Sequence, residues 1–180
     1  MTSTHAEIQA FLKDFASASA AEIRKAGIVP FLRAPLRYYV MTPAAAKPEL
    51  GLPEFQLCKG TRMYQAHGVW HDMKGHVPDG APLEDLAATS LREGIEELGL
   101  KLSNIAQLVT FGEYRFTSAT SRMEVALWML AAEIKNPDDF GAPHASTAEC
   151  RWMTLSEFHQ HGRPDHAHIL GLMEKRLTCV

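Results

Sequence analysis

Residues Arg92 to Leu100 read Arg-Glu-Gly-Ile-Glu-Glu-Leu-Gly-Leu, and within them Arg92, Glu93, Glu96 and Glu97 crowd three acids and one base together. Side chains three and four positions apart on a helix are neighbours. Glu93, Glu96 and Glu97 therefore share one side, away from a stripe of Leu91, Ile95 and Leu98. Like charges at that spacing repel by roughly a few tenths of a kcal/mol per pair. A sequence shaped by stability alone tends to interleave lysines. Hard divalent cations take several carboxylate oxygens at once, so Mg²⁺ would turn the repulsion into binding. The same spacing also fits a solvated helix face, with Arg92 paired to Glu96 at i+4.

A helix carrying these acids is expected over about 82–98. Leu83, Leu86, Ala87, Leu91, Ile95 and Leu98 mark its apolar side, and Gly99 stands where helices often stop. Upstream, 5–26 reads as an amphipathic helix on Ile8, Phe11, Leu12, Phe15 and Ile23. Strand-like runs follow at 28–32 and 36–40, then a Pro/Gly-rich loop at 44–53 and a short strand within 54–60. Residues 68–82 hold three glycines and two prolines and read mostly as loop. Beyond the helix, 105–116 and 122–134 read as two long strands paired across 117–121. A loop at 136–147, a short strand at 149–155 and a last helix over 164–178, with Pro164 near its start, complete the chain. Strands, helix, strands, helix predict an α/β fold, a mixed β-sheet with helices packed against it.

The chain has 180 residues, which suits one domain. A formal charge of −3 argues against a nucleic-acid partner, which needs clustered Lys and Arg. No apolar run approaches the ~20 residues that span a bilayer, and the N-terminus lacks the pattern of a signal peptide. Cys58, Cys150 and Cys179 are odd in number and show no CxxC spacing, which fits a reducing compartment. A cytoplasmic protein with no membrane partner is expected.

The acidic helix resembles the second half of the Nudix box, GX5EX7REUXEEXGU with U a bulky apolar residue. Arg92, Glu93, Glu96, Glu97, Gly99 and Leu100 match, and Gly94 stands at a U position. Lys74-Gly75-His76-Val77 followed by Asp79-Gly80 resembles the loop before that helix. The two halves are out of register. Counting back from Arg92 places the first glutamate at Glu84 and the glycine at Pro78; counting forward from Gly75 places the glutamate at Ala81. The loop is three residues longer than the pattern. The resemblance is densest over about 68–100 and extends loosely over 26–178.

What the resemblance implies is an α/β/α sandwich over 27–180, with the 1–26 helix packed on it or contributing to a homodimer. It further implies Mg²⁺- or Mn²⁺-dependent hydrolysis of a diphosphate bond in a nucleoside diphosphate-linked compound, such as a dinucleoside polyphosphate or nucleotide sugar. Glu96 and Glu97 would be the core metal ligands, and Glu93 a ligand or general base. A carbonyl near Gly75 would complete the metal site. Arg92 would be structural, held by Glu84. Glu149 is the candidate for a further acid, and its alternative is an ordinary loop glutamate. Lys59, Arg62 and Lys74 are candidate phosphate contacts, otherwise surface charges. Tyr114 and Trp128 are candidate base-stacking groups, otherwise core aromatics. His159, His161, His166 and His168 are read as exposed polar residues at the start of the last helix rather than metal ligands. The rival reading is a Nudix-fold module that binds a nucleotide or a partner without turnover.

Overall fold

A computed structural model of the chain describes residues 2–15, 20–44, 55–118 and 121–179. The expected loop at 44–53 lies almost wholly outside them, as does the middle of the 117–121 turn. In chain order the elements are α1 (Thr2–Phe11), β1 (Lys25–Arg33), β2 (Leu36–Pro43), β3 (Cys58–Thr61), β4 (Met63–Ala66) and β5 (Val69–Asp72). Then come α2 (Leu86–Leu98), a 3₁₀ turn (Leu102–Asn104), β6 (Ile105–Thr117), β7 (Glu124–Ile134), β8 (Thr147–Met153), α3 (Leu155–His161) and α4 (Pro164–Thr178).

The main sheet runs β6-β7-β1-β2-β8, with β3 also paired to β1. β1 and β7 are parallel, whereas β1–β2, β1–β3, β2–β8 and β6–β7 are antiparallel, so the sheet is mixed. β1 is central and buried on both faces from Ala26 to Pro30 and on to Phe31, as an unbroken apolar run requires. Its partners divide it: Lys25–Ile28 pair with β3 and Phe31–Arg33 with β2. Pro30, which cannot donate to a ladder, falls in the gap between those two registers.

Two apolar layers sandwich the sheet. Ile28, Trp128 and Leu130 face α2 and α1 through Leu86, Leu91, Ile8 and Leu12. Val29, Phe31 and Met129 face α4 through Ile169, Leu170 and Met173. The fold is thus an α/β sandwich with helices on both faces of a mixed sheet, as expected.

Four elements differ from the sequence expectation. The N-terminal helix stops at Phe11 instead of continuing to 26, and Lys25 and Ala26 already belong to β1. Residues 63–72, of which 68–72 fall in the stretch expected mostly as loop, form the β4–β5 hairpin, whose two-residue turn puts His67 at φ 53° and Gly68 at φ 75°. Two successive positive φ values are what a tight hairpin turn needs. Finally, α3 intervenes before α4, so the four histidines fall on two helices. Its start is a capping box: the Thr154 side chain accepts from the Glu157 amide and the Glu157 side chain accepts from the Thr154 amide. α2 also begins at Leu86 rather than 82, because Pro82–Glu84 run along β4. Gln65 N–H donates to the Pro82 carbonyl and Glu84 N–H to the Met63 carbonyl, each at 2.8 Å.

Candidate active site

α2 lies over β1 and β3, and two glycines set how close it sits. Gly94 stands where the Nudix pattern has a bulky residue; a Cβ there would meet the Ile28 side chain at 2.9 Å and that of Leu100 at 3.0 Å. Gly99 ends the helix at φ 70°, in the left-handed region. A Cβ on Gly99 would also collide with the Gly141 backbone, whose N–H donates to the Gly99 carbonyl at 2.7 Å.

This close seating buries part of the charged side of the helix, contrary to a fully solvated face. Arg92 is 4% exposed and Glu93 8%. Glu97 is half-buried and Glu96 is exposed. Glu84 is the fixed point. Its Oε2 accepts from Arg92 Nε at 2.8 Å, and its Oε1 accepts from Arg92 Nη2 at 3.0 Å. Thr89 Oγ1 and the Met63 amide also donate to Oε1, at 2.8 and 3.2 Å. The two-pronged geometry suits a planar guanidinium. Nη2 donates further to the Thr61 carbonyl at 2.9 Å. Nη1 is left for the acids, donating to Glu93 Oε1 at 3.0 Å and lying 3.7 Å from Glu96 Oε2.

Glu93 lies on the backbone of Gly60 in β3, where a Cβ would occupy the place of its carboxyl group. Burial pushes the Glu93 carboxyl up to about 7 against the pull of Arg92, with Glu97 and Glu96 adding to the rise. Burial also raises Glu97, opposed by the Cys58 thiol and Lys59. Glu97 Oε2 is buried with no hydrogen-bond partner. A buried carboxylate oxygen without a donor is costly.

Among the described residues, no three His, Cys, Asp or Glu side chains surround one point as a finished metal site. The donors nevertheless suit a hard cation. Glu97 Oε2 lacks a partner, and burial raises the proton affinity of both Glu93 and Glu97. Glu96 has a side chain 45% exposed and lies 3.7 Å from Arg92 Nη1.

The other candidates divide. Gly75 adopts φ 69°, and its carbonyl accepts from Arg24 Nη1 at 3.3 Å. Glu149 is not gathered with the acids. Its neighbour Cys150 directs Sγ to the Glu97 carbonyl at 3.6 Å, and alternation along β8 turns Glu149 to Arg151 Nη2 at 2.6 Å. Arg62 is not a phosphate contact: it is 1% exposed and donates to the carbonyls of Ala20, Ile23 and Glu84. Lys74 is exposed, 3.9 Å from Asp72. Lys59 is half-buried on β3; burial, then Lys25 and Arg163, lower its amine to about 8, with Glu97 and Asp165 pulling the other way. Tyr114 packs on the α4 side of the sheet, opposite the acids, with its hydroxyl buried and without a partner. Trp128 is 2% exposed and belongs to the core under α2.

His166 is not an exposed polar residue. It is 0% exposed, and its Nδ1 accepts from the Leu57 amide at 3.0 Å. Sequence reasoning did not anticipate Gly60, Cys58 or His5. Gly60 lies in a short strand, and Glu93, which approaches it, is 33 residues away in the sequence (93 − 60), so nothing local signals that approach. His5 is 7% exposed, with Nε2 3.3 Å from Glu84 Oε2.

A scan of protein-family models found no match, and a search of curated proteins found none either. Solved structures do match. The NUDIX domain of Shewanella oneidensis NrtR, complexed with ADP-ribose, aligns at 18% identity and TM-score 0.59 over 94% of this chain and 97% of that one. A Caenorhabditis elegans Ap4A hydrolase binary complex aligns at 17% identity and TM-score 0.55, over 88% and 99%. NrtR complexed with a 27mer DNA aligns at 18% identity and TM-score 0.56, over 86% and 62%. At these identities the likeness establishes the fold: the chain has the Nudix fold.

Proposed function

We propose that the chain is a divalent-metal-dependent hydrolase that cleaves a diphosphate bond in a nucleoside diphosphate-linked compound, such as a dinucleoside polyphosphate or a nucleotide sugar. The observation that carries this reading is the buried acidic side of α2, where Glu97 Oε2 has no partner and Arg92 is already committed to Glu84. A stable helix has no use for such an arrangement, whereas a cation needs it. Glu96 and Glu97 would hold Mg²⁺ or Mn²⁺, with Glu93 as third ligand or base. The ion supplies neutralisation of the phosphate oxygens and acidifies water.

The chain's own residues do the rest. Arg92 and Glu84 fix the helix, so the acids are presented without reorganisation. Glu93 has a proton affinity close to neutrality, suited to taking the proton of the attacking water. The water oxygen bonds to phosphorus, the bridging P–O bond breaks, and the leaving phosphate carries away the electron pair. Lys59, whose charge acts on Glu97 from β3, is the candidate to meet a substrate oxygen. A small-molecule substrate without a nucleic-acid partner accords with the charge of −3, and a cytoplasmic setting with the free Cys58, Cys150 and Cys179. Among the described residues no helix is long and apolar enough to cross a membrane.

A second reading is favoured by one observation. The neighbour solved with ADP-ribose also has a DNA complex, so this fold serves binding as well as hydrolysis. The deciding experiment is product release from ADP-ribose, NADH, diadenosine polyphosphates and nucleoside triphosphates with Mg²⁺ or Mn²⁺. We expect metal-dependent release from one class, reduced by at least about a hundredfold in Glu97→Gln, the scale of losing a catalytic carboxylate. Nucleotide binding by folded protein with no release from any compound would replace hydrolysis by the binding reading.

A further inference from the structure

α1 is joined to the acidic helix by more than apolar packing. Ile8 and Leu12 are buried against α2, but the seam also contains a cavity of about 390 Å³. That cavity is lined by His5, Trp70, Leu83, Glu84, Asp85 and Ala88, among others. The helix therefore does not seal against the core along its length. What crosses the seam is His5. Its ring stacks on Trp70 of the β4–β5 hairpin at 4.9 Å between centroids and 2° between planes. Stacking on the indole fixes the ring's plane and leaves Nε2 at ion-pair distance from Glu84 Oε2, 3.3 Å away. The same oxygen accepts from Arg92 Nε at 2.8 Å, and Arg92 Nη1 holds Glu93. A continuous path of polar contacts runs from α1 to the acids.

Glu84 stands beside the cavity yet is only 3% exposed, so little water reaches its carboxylate. A carboxylate–guanidinium pair loses most of its strength when water reaches it. We propose that His5 is a positioning residue: with Trp70 it holds Glu84 in the orientation that grips Arg92, and so makes the N-terminal helix part of the acidic site. The hairpin and α1 act together here, one supplying the stacking surface and the other the imidazole. The positioning itself is independent of what the acids do; its effect on metal binding rests on the metal-site reading.

The direct test is hydrogen exchange of the Arg92 Nε–H, followed by NMR in the full chain without metal. His5→Leu keeps bulk against Trp70 and removes the polar contact; His5→Gln restores a donor. Ile8→Ala loosens the packing of α1 but leaves the path intact. We expect exchange about tenfold faster in His5→Leu, the scale of one lost polar contact to a charged group. His5→Gln and Ile8→Ala should stay near wild type. Equal exchange in His5→Leu and wild type would overturn the proposal, as would Ile8→Ala matching His5→Leu, since packing alone would then explain the effect. Mn²⁺ titration of the same variants, read by the signal of free Mn²⁺, should follow the same order. Mn²⁺ binding equally weak or absent in every protein, beside the expected exchange pattern, would remove the metal-site reading and leave the positioning standing.

Discussion

Gly60 shows how one missing side chain shapes the site. Glu93 can lie on β3 only because no Cβ stands there. In Gly60→Ala the obstructed group is the end of a flexible side chain, so Glu93 moves and the strand stays. Stability should then change by less than about 1 kcal/mol, since Ala suits a strand better than Gly. Activity should fall at least about tenfold, because displaced catalytic groups act poorly. Thermal unfolding and steady-state rates of the variant check both. A large loss of stability with unchanged specific activity of the folded fraction would show that Glu93's seat is unimportant. Arg92, Glu84 and the three acids were legible at this scale, because i, i+3 and i+4 spacing and the box pattern are local. Which of its two readings holds for Glu149, and the burial of Arg62, were not legible because their surroundings are not local. The strand neighbours that turn Glu149 outward, and the carbonyls that enclose Arg62, come from other elements.

At the scale of elements, the long periodic segments were readable. β6, β7 and α4 fall within two residues of expectation, since their apolar patterns are long. The glycine and proline content of 68–82 hides β5, because the positive φ of His67 and Gly68 that makes the hairpin turn has no composition signal of its own. α3 had a local signal in Thr154 and Glu157 that went unused. The histidines near these helices lead to a pH prediction. His166 on α4 faces the Leu57 amide and Lys59 from the β3 side, Phe116 from β6, and Arg163 and Asp165 beside it. Burial, with Arg163 and Lys59, lowers it to about 3, against the pull of Asp165. The folded protein therefore keeps His166 neutral while the unfolded chain takes up a proton below about 6.5. The resulting stability is complete above that pH and declines as pH falls towards 3. Chemical denaturation of wild type and His166→Gln between pH 7 and 4 should shift in favour of the variant by about 1 kcal/mol per pH unit. A difference that stays flat with pH would contradict the neutral, buried assignment.

For the whole molecule, the sandwich was legible from element order alone, but the way it buries the acids was not. A helix read by itself places Glu93, Glu96 and Glu97 opposite its apolar stripe. The assembled sheet brings β3 up beside that side, and Gly94 lets α2 settle close to β1. Negative charge is thereby enclosed next to a cation already engaged by Glu84. The charge left over is what a divalent ion would answer. The most direct test is Mn²⁺ binding to the full chain, followed by the loss of the free-ion signal at neutral pH, in wild type, Glu93→Gln and Glu97→Gln. The account predicts saturable binding in wild type that weakens at least about tenfold in each variant, as expected when one charged ligand is removed. Wild type and both variants binding equally, or none binding while folded, would contradict a metal site on α2.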